Sequence, residues 1–327
     1  MRPLAAASLA REFWRIKWHS ARAPLFVGYA ITNRCNRNCA YCDKSVVVGE
    51  ELTTLEMTAM VDQLAAAGTR FMTVTGGEPL LRDDLGVLLE CCRRHGIRVN
   101  VNTNGDLLPE RRELIGKAAS FTLSLDGGES SDAVRGENGR ANVLTAADLI
   151  SAAGGRVLFA TVIHARNVDR LREMVEVAER YRTIVTYQPI SLYYDGAQGV
   201  PLALLPDRRR LREALEDLSA DRRAMRFIGN SRAGLRYLMN WPGDTPTFCR
   251  IWKLFCRIEP DGMLFSCGRQ YLTPLKYDIR RYGVAEAFRR LHRPRVCKGC
   301  WCGSALELNL LMDFDPHAVT AALRRLI

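Results

Sequence analysis

The sequence has no apolar run approaching the roughly 18 residues needed to cross a bilayer as a helix. Its beginning lacks the apolar stretch of a secretory signal, because Arg11, Glu12, Arg15 and Lys17 interrupt it. Histidine is scarce, with five residues, and none clusters with carboxylates at metal or triad spacing. There is no phosphate-binding P-loop and no nucleophile elbow. Long Lys/Arg runs and recognisable nucleic-acid modules are also absent. These absences argue against secreted, transmembrane and specific nucleic-acid-binding proteins, and leave no standard hydrolase or nucleotide-cleaving signature.

What is present is an ordinary globular composition over 327 residues, 47% hydrophobic and 25% charged. Disorder over most of the chain is excluded. Two features depart from the ordinary. The net charge is +11, and there are 11 cysteines. The positive excess suits an anionic partner, but without a basic run its expected origin is arginine spread over solvated helices. An odd cysteine count without an export signal points to metal ligands rather than disulfides.

Residues 7–20 have helical spacing, with Leu9, Phe13 and Ile16 on one face and Trp14 and Trp18 beside it. The helix is basic. Packing across the main domain is expected, with an interfacial membrane contact as the alternative. From residue 25, β-rich runs alternate with amphipathic ones. Strands are expected at 26–32, 70–75, 98–103, 120–125, 156–163 and 183–189. Helices are expected at 54–67, 83–95, 109–119, 141–153 and 168–181. Six strands alternating with helices read as β/α units on a parallel sheet, which right-handed crossovers curl into a partial barrel. Functional residues belong on the loops after the strands. The expected divisions are an N-terminal helix (1–24), the barrel (25–190), linking helices (191–246), a cysteine-rich unit (247–310) and a terminal helix (311–327).

Directly after the first strand stand Cys35, Cys39 and Cys42, spaced C-x3-C-x2-C, with Tyr41 before the last. Three thiolates this close converge on one small object. A closed zinc site needs a fourth ligand, whereas a [4Fe–4S] cube held by three cysteines keeps one iron open. Thr75-Gly76-Gly77-Glu78-Pro79 follows the second strand, and Asn102-Thr103-Asn104-Gly105 the third. Ser124-Leu125-Asp126-Gly127 follows the fourth, with Arg135-Gly136 downstream. In this order on successive strands, these motifs resemble the radical S-adenosylmethionine (SAM) superfamily over about residues 25–190.

The resemblance implies an α/β fold, a partial (β/α)6 TIM-like barrel. It implies that an open iron at Cys35, Cys39 and Cys42 chelates SAM and that Tyr41, Gly76, Gly77, Glu78, Asn104, Ser124, Asp126 and Arg135 form the cofactor site. Within that set the glycines would let backbone approach the ligand, and Glu78 would accept from its ammonium group. A flavodoxin- or ferredoxin-like donor would supply an electron. SAM would break to methionine and a 5′-deoxyadenosyl radical, which takes a substrate hydrogen. A barrel suits this chemistry because it shields the radical from solvent.

Six further cysteines lie near the C-terminus: Cys249, Cys256, Cys267, Cys297, Cys300 and Cys302. The stretch Cys256-x5-Gly262-x4-Cys267 is similar to the SPASM and twitch extensions of that superfamily. The residues between these cysteines read as a hairpin with an Asp-Gly turn, which brings both thiols to one end. Cys297-x2-Cys300 adds two more. These four are the expected ligands of one auxiliary [4Fe–4S] cluster in a small C-terminal cysteine-rich domain, with Cys249 or Cys302 as substitutes. Four of the same thiols would also suit zinc. Cys91 and Cys92 read as core residues.

His164, Gln188, Tyr193, Tyr194 and Asp195 follow strands five and six and are weighed as substrate-cavity residues. With only about 24 residues before the first strand, no separate peptide-recognition domain is expected, so a small molecule or lipid is favoured over a peptide. The expected location is cytoplasmic, with a peripheral contact at the inner membrane face weighed for the Trp-bearing helix. Two other readings compete. One is a non-catalytic zinc or iron–sulfur protein with a basic surface. The other is a sulfur-inserting radical SAM enzyme.

Overall fold

A computed structural model of the chain describes residues 3–19, 21–42, 49–127, 129–191, 201–243, 249–267, 275–293 and 300–326. Six strands run parallel: β1 (Phe26–Thr32), β2 (Phe71–Gly76), β3 (Arg98–Thr103), β4 (Ser120–Ser124), β5 (Val157–Ile163) and β6 (Val185–Pro189). They pair in sequence order, β1 with β2 through to β5 with β6. Period-two burial explains the arrangement. In β5 every second residue, from Val157 to Ile163, is buried against the helices. The alternate residues face the concave side.

The helices α2 (Thr54–Ala66), α3 (Leu85–Arg94), α5 (Gly139–Ala152) and α6 (Leu171–Arg180) cover the convex face. Met57, Met60, Val61 and Leu64 of α2 join Val27, Tyr29 and Ile31 of β1 in one core. Cys91 and Cys92 of α3 lie in that core, and burial pushes the Cys92 thiol up to about 12. A capping box starts α2, with the Thr53 hydroxyl accepting from Glu56 N and the Glu56 carboxylate accepting from Thr53 N.

One helical expectation fails. Residues 109–119 form only a 3-10 turn at Arg112–Leu114, because Gly116 interrupts the pattern and Arg111 reaches back to the Leu80 and Arg82 carbonyls. A short helix, α4 (Glu129–Arg135), also forms where the sequence reading assigns no element.

The C-terminal region extends the same sheet. β7 (Phe255–Ile258) pairs in parallel with β1, and β8 (Met263–Phe265) and β9 (Tyr277–Asp278) add antiparallel strands outside it. The sheet order β6-β5-β4-β3-β2-β1-β7-β8-β9 describes an open, partial barrel. The expected hairpin forms, with Gly262 at φ +84 in its turn. α7 (Arg208–Ala220) and α8 (Arg232–Leu238) follow β6. α9 (Ile279–Arg290), α10 (Gly303–Met312) and α11 (Pro316–Leu326) complete the chain.

The first helix, α1 (Pro3–Trp18), docks through Ile16, which is fully buried with Leu25, Leu254 and Met312. Trp14 and Trp18 face outward, 55% and 59% exposed. No described helix is long and apolar enough to cross a membrane.

Candidate active site at the C-terminal strand ends

A cavity of about 980 Å³ opens at the C-terminal ends of β1–β6. Cys35, Cys39 and Cys42 all line it, with Tyr41, Gly76, Gly77, Asn104, Ser124, Arg135 and Gln188. The loop carrying the thiols is held at many points. Ala40 N donates to Val134 O of α4 (2.8 Å), and Cys42 N to Cys39 O (2.9 Å). Arg37 forms a bidentate pair with Asp106 and donates to the Arg135 and Gly136 carbonyls. Asn36 bridges the same loops, donating to Asp106 and accepting from Asn104. Arg37, Asn36 and Asp106 escape a sequence reading, since nothing but their place beside the motifs marks them.

Gly76 and Gly77 serve a purpose beyond ligand access. A Cβ on Gly76 would lie 2.2 Å from the Thr32 carbonyl oxygen, and one on Gly77 2.2 Å from that of Arg34. The bare backbone lets the β2 loop pack onto the cysteine loop, with Gly77 N donating to Thr32 O and Glu78 N to Arg34 O.

Glu78 is fully buried and is not among the cavity-lining residues. Its carboxylate accepts from Leu80 N (3.0 Å), the Thr103 hydroxyl (2.7 Å) and Asn104 N (2.9 Å). It ties the β2 and β3 loops together. Burial pushes its carboxyl up to about 7 against the pull of these donors.

Asp126 is likewise buried and outside the lining. Its Oδ2 accepts from the Tyr41 hydroxyl (2.6 Å) and from Arg135 Nε (2.6 Å), and its Oδ1 from Val162 N (2.8 Å). One carboxylate thus sets both Tyr41 in the cysteine loop and Arg135 on α4. The Arg135 guanidinium also lies over the Tyr41 ring.

His164 is not a cavity residue. It is fully buried behind Tyr41, ring centroids 6.1 Å apart, and Nδ1 accepts from Arg166 N. Burial holds its imidazole below the ordinary range. Tyr193, Tyr194 and Asp195 fall outside the described residues.

Among the described residues, the charged ones lining the cavity are Arg34, Arg37, Arg135 and Glu51. This basic bias suits thiolates and a carboxylate ligand. Burial raises the Cys39 and Cys35 thiols, while Arg135 draws Cys39 down and the Arg37 N–H, 3.4 Å from the sulfur, draws Cys35 down. Three thiols on one open, basic cavity fit a cluster with a free coordination position.

The C-terminal cysteines are placed differently from expectation. Cys256 is fully buried in the main core, paired in register with Val27 on the helix-facing side. Cys267 lies just beyond β8, partly exposed. Cys249 stands outside the sheet on a partly exposed segment. Its neighbour Arg250 is tied to α10 through Asn309 and Asp313. Cys300, just before α10, is held by its N–H on the Tyr237 hydroxyl (2.8 Å), and Cys302 is exposed. Cys297 lies outside the described residues.

Residues 29–178 match the model of the radical SAM superfamily. A PqqA peptide cyclase from Gluconobacter oxydans (strain 621H) is 28% identical over 267 residues, 77% of this chain and 72% of the relative. An AdoMet-dependent heme synthase from Methanosarcina barkeri (strain Fusaro / DSM 804) is 27% identical over 341 residues, 91% and 97% of the two chains. Streptococcus suis SuiB bound to S-adenosylmethionine shares the fold, with a TM-score of 0.66 at 17% identity over 86% of this chain and 69% of that one.

Proposed function

We propose that this chain, which carries a radical SAM superfamily domain over residues 29–178, cleaves SAM reductively and takes a hydrogen from a peptide substrate. The observation that carries the reading is one basic cavity lined by Cys35, Cys39 and Cys42 together with the glycine, asparagine, serine and arginine of the strand-end motifs. Cys35, Cys39 and Cys42 would hold a [4Fe–4S] cluster, which would supply the one-electron reduction of SAM. The protein's own part is positional. Arg135, with its Nε held by Asp126, meets the SAM carboxylate, and Ser124 and Asn104 line the same wall. Glu78 and Asp126 act from behind, fixing the loops that carry these contacts.

A peptide is favoured because a relative aligned over 77% of the chain is a peptide cyclase. This reverses the preference for a small molecule or lipid that the short N-terminal segment suggests. The heme synthase relative supports a small-molecule substrate as the second reading. For an auxiliary cluster, the placement of Cys256 in the core favours Cys249, Cys267, Cys297 and Cys300 as ligands. A flavodoxin- or ferredoxin-like protein is the proposed electron donor. The outward Trp14 and Trp18 on a basic helix support a peripheral membrane contact.

Anaerobically reconstituted protein should be brown and, with dithionite and SAM, should release 5′-deoxyadenosine. Replacing Cys35, Cys39 and Cys42 by Ala should abolish that release. A colourless zinc protein, or SAM cleavage surviving the triple replacement, overturns the reading.

A further inference from the structure

A second cavity lies on the concave face of the barrel, next to the cysteine cavity. Phe26, Phe71, Arg98 and Ser120, the first residues of β1–β4, line the lower end of a lumen of about 640 Å³. Its wall carries hydroxyls and amides. The Ser120 and Thr122 hydroxyls donate to Asn100 Oδ1, and Asn100 Nδ2 donates to Asn102 Oδ1 at 2.7 Å. Asn102, Ala160, Val162 and Gln188 line both this lumen and the cysteine cavity above it.

At the opposite end, Arg156 and Ile184, just ahead of β5 and β6, line both the lumen and a groove of about 870 Å³. This groove carries Arg156, Arg182, Arg222, Arg226 and Arg232, and among the described residues no carboxylate side chain lines it. Among the described residues, Arg182, Arg222, Arg226 and Arg232 make no ion pair, whereas nearby Arg172 and Arg223 are paired with Asp221 and Glu179. Like charges gathered in a concave surface repel one another and focus a positive potential that an anion relieves.

We infer that this groove docks an acidic segment of a peptide whose adjoining residues run up the lumen to the cysteine cavity. The inference rests on the peptide reading above and adds the chemistry of recognition. The hydroxyl and amide wall can bond an extended backbone, and the charge is confined to the entrance. β5 runs from the groove at Val157 to the cavity at Ala160 and Val162, three to five residues on. At roughly 3.3 Å per residue this is on the order of 10–17 Å, so the acidic segment should begin about three to five residues from the residue that reacts.

The test uses the reconstituted holoenzyme and fluorescein-labelled hexaglutamate, with labelled hexaglutamine, inorganic phosphate and AMP as comparisons. Hexaglutamate should bind, weaken as salt rises, and lose at least about tenfold in affinity in the Arg222→Glu/Arg226→Glu variant. Hexaglutamine should not bind. The variant's melting temperature, and its release of 5′-deoxyadenosine without peptide, should match the parent. Absent hexaglutamate binding, or binding indifferent to the two substitutions, overturns the docking site. AMP or phosphate competing at lower concentration than hexaglutamate also overturns it, in favour of a phosphorylated small molecule. Failure of the parent to release 5′-deoxyadenosine would instead strike the functional reading.

Discussion

Replacing Asp126 by Ala tests whether one buried carboxylate organises the site. Asp126 is fully buried, and the side chain of its partner Arg135 is 10% exposed. Truncation leaves a guanidinium in the interior without a counter-charge, and removes the acceptor of the Tyr41 hydroxyl. Breaking a buried pair from one side costs about 3–5 kcal/mol. Tyr41→Phe removes one hydrogen bond to a charged group and should cost only about 1.5–3 kcal/mol. Adding Arg135→Met to Asp126→Ala removes the stranded charge, so the double variant should be more stable than Asp126→Ala alone. Urea unfolding of the iron-free protein, followed by circular dichroism, gives these differences. SAM binding by equilibrium dialysis should weaken in Asp126→Ala, because Arg135 loses its anchor. A cost below about 1 kcal/mol, or no recovery in the double variant, would refute the argument.

Three further outcomes are expected. Gly77→Ala drives a Cβ to within 2.2 Å of the Arg34 carbonyl oxygen, a backbone atom with nowhere to go; iron loading and 5′-deoxyadenosine release should fall together, by about tenfold or more, and unchanged release would contradict the packing account. Glu78 has a folded-state value near 7 against an ordinary 4.5, so the native state holds the extra proton; its contribution is greatest below about pH 4.5, declines by about 3 kcal/mol as pH rises to about 7, and is flat above. Stability measured across that range should lose this slope in Glu78→Gln, and an identical slope would show that another group titrates. Cys249→Ala should lower auxiliary iron content while Cys256→Ala should not, as read by iron analysis of reconstituted protein; the reverse result would restore Cys256 as a ligand.

Much of the barrel is legible in the chain because its signals are local. Period-two runs such as Val157–Ile163 and the C-x3-C-x2-C thiol spacing are properties of neighbouring residues. The same locality explains the order of motifs on successive strands, since each loop follows its own strand directly. It also explains the misreading of 109–119, where the helical pattern is real but Gly116 and the distant Arg111 contacts prevail.

The sequence by itself determined which residue types stand at the strand ends. Only the tertiary structure decided which of them face the cavity. Glu78 and Asp126 look like ligand contacts in one dimension, yet burial turns them into braces for Asn104, Tyr41 and Arg135. Cys256 reads as a ligand from its spacing, and its pairing with Val27 places it in the core. The Arg37–Asp106 pair joins residues 69 positions apart. The physical reason is common to all of them: burial, register and long-range ion pairing depend on what the rest of the chain brings alongside, and spacing along the backbone carries no record of that.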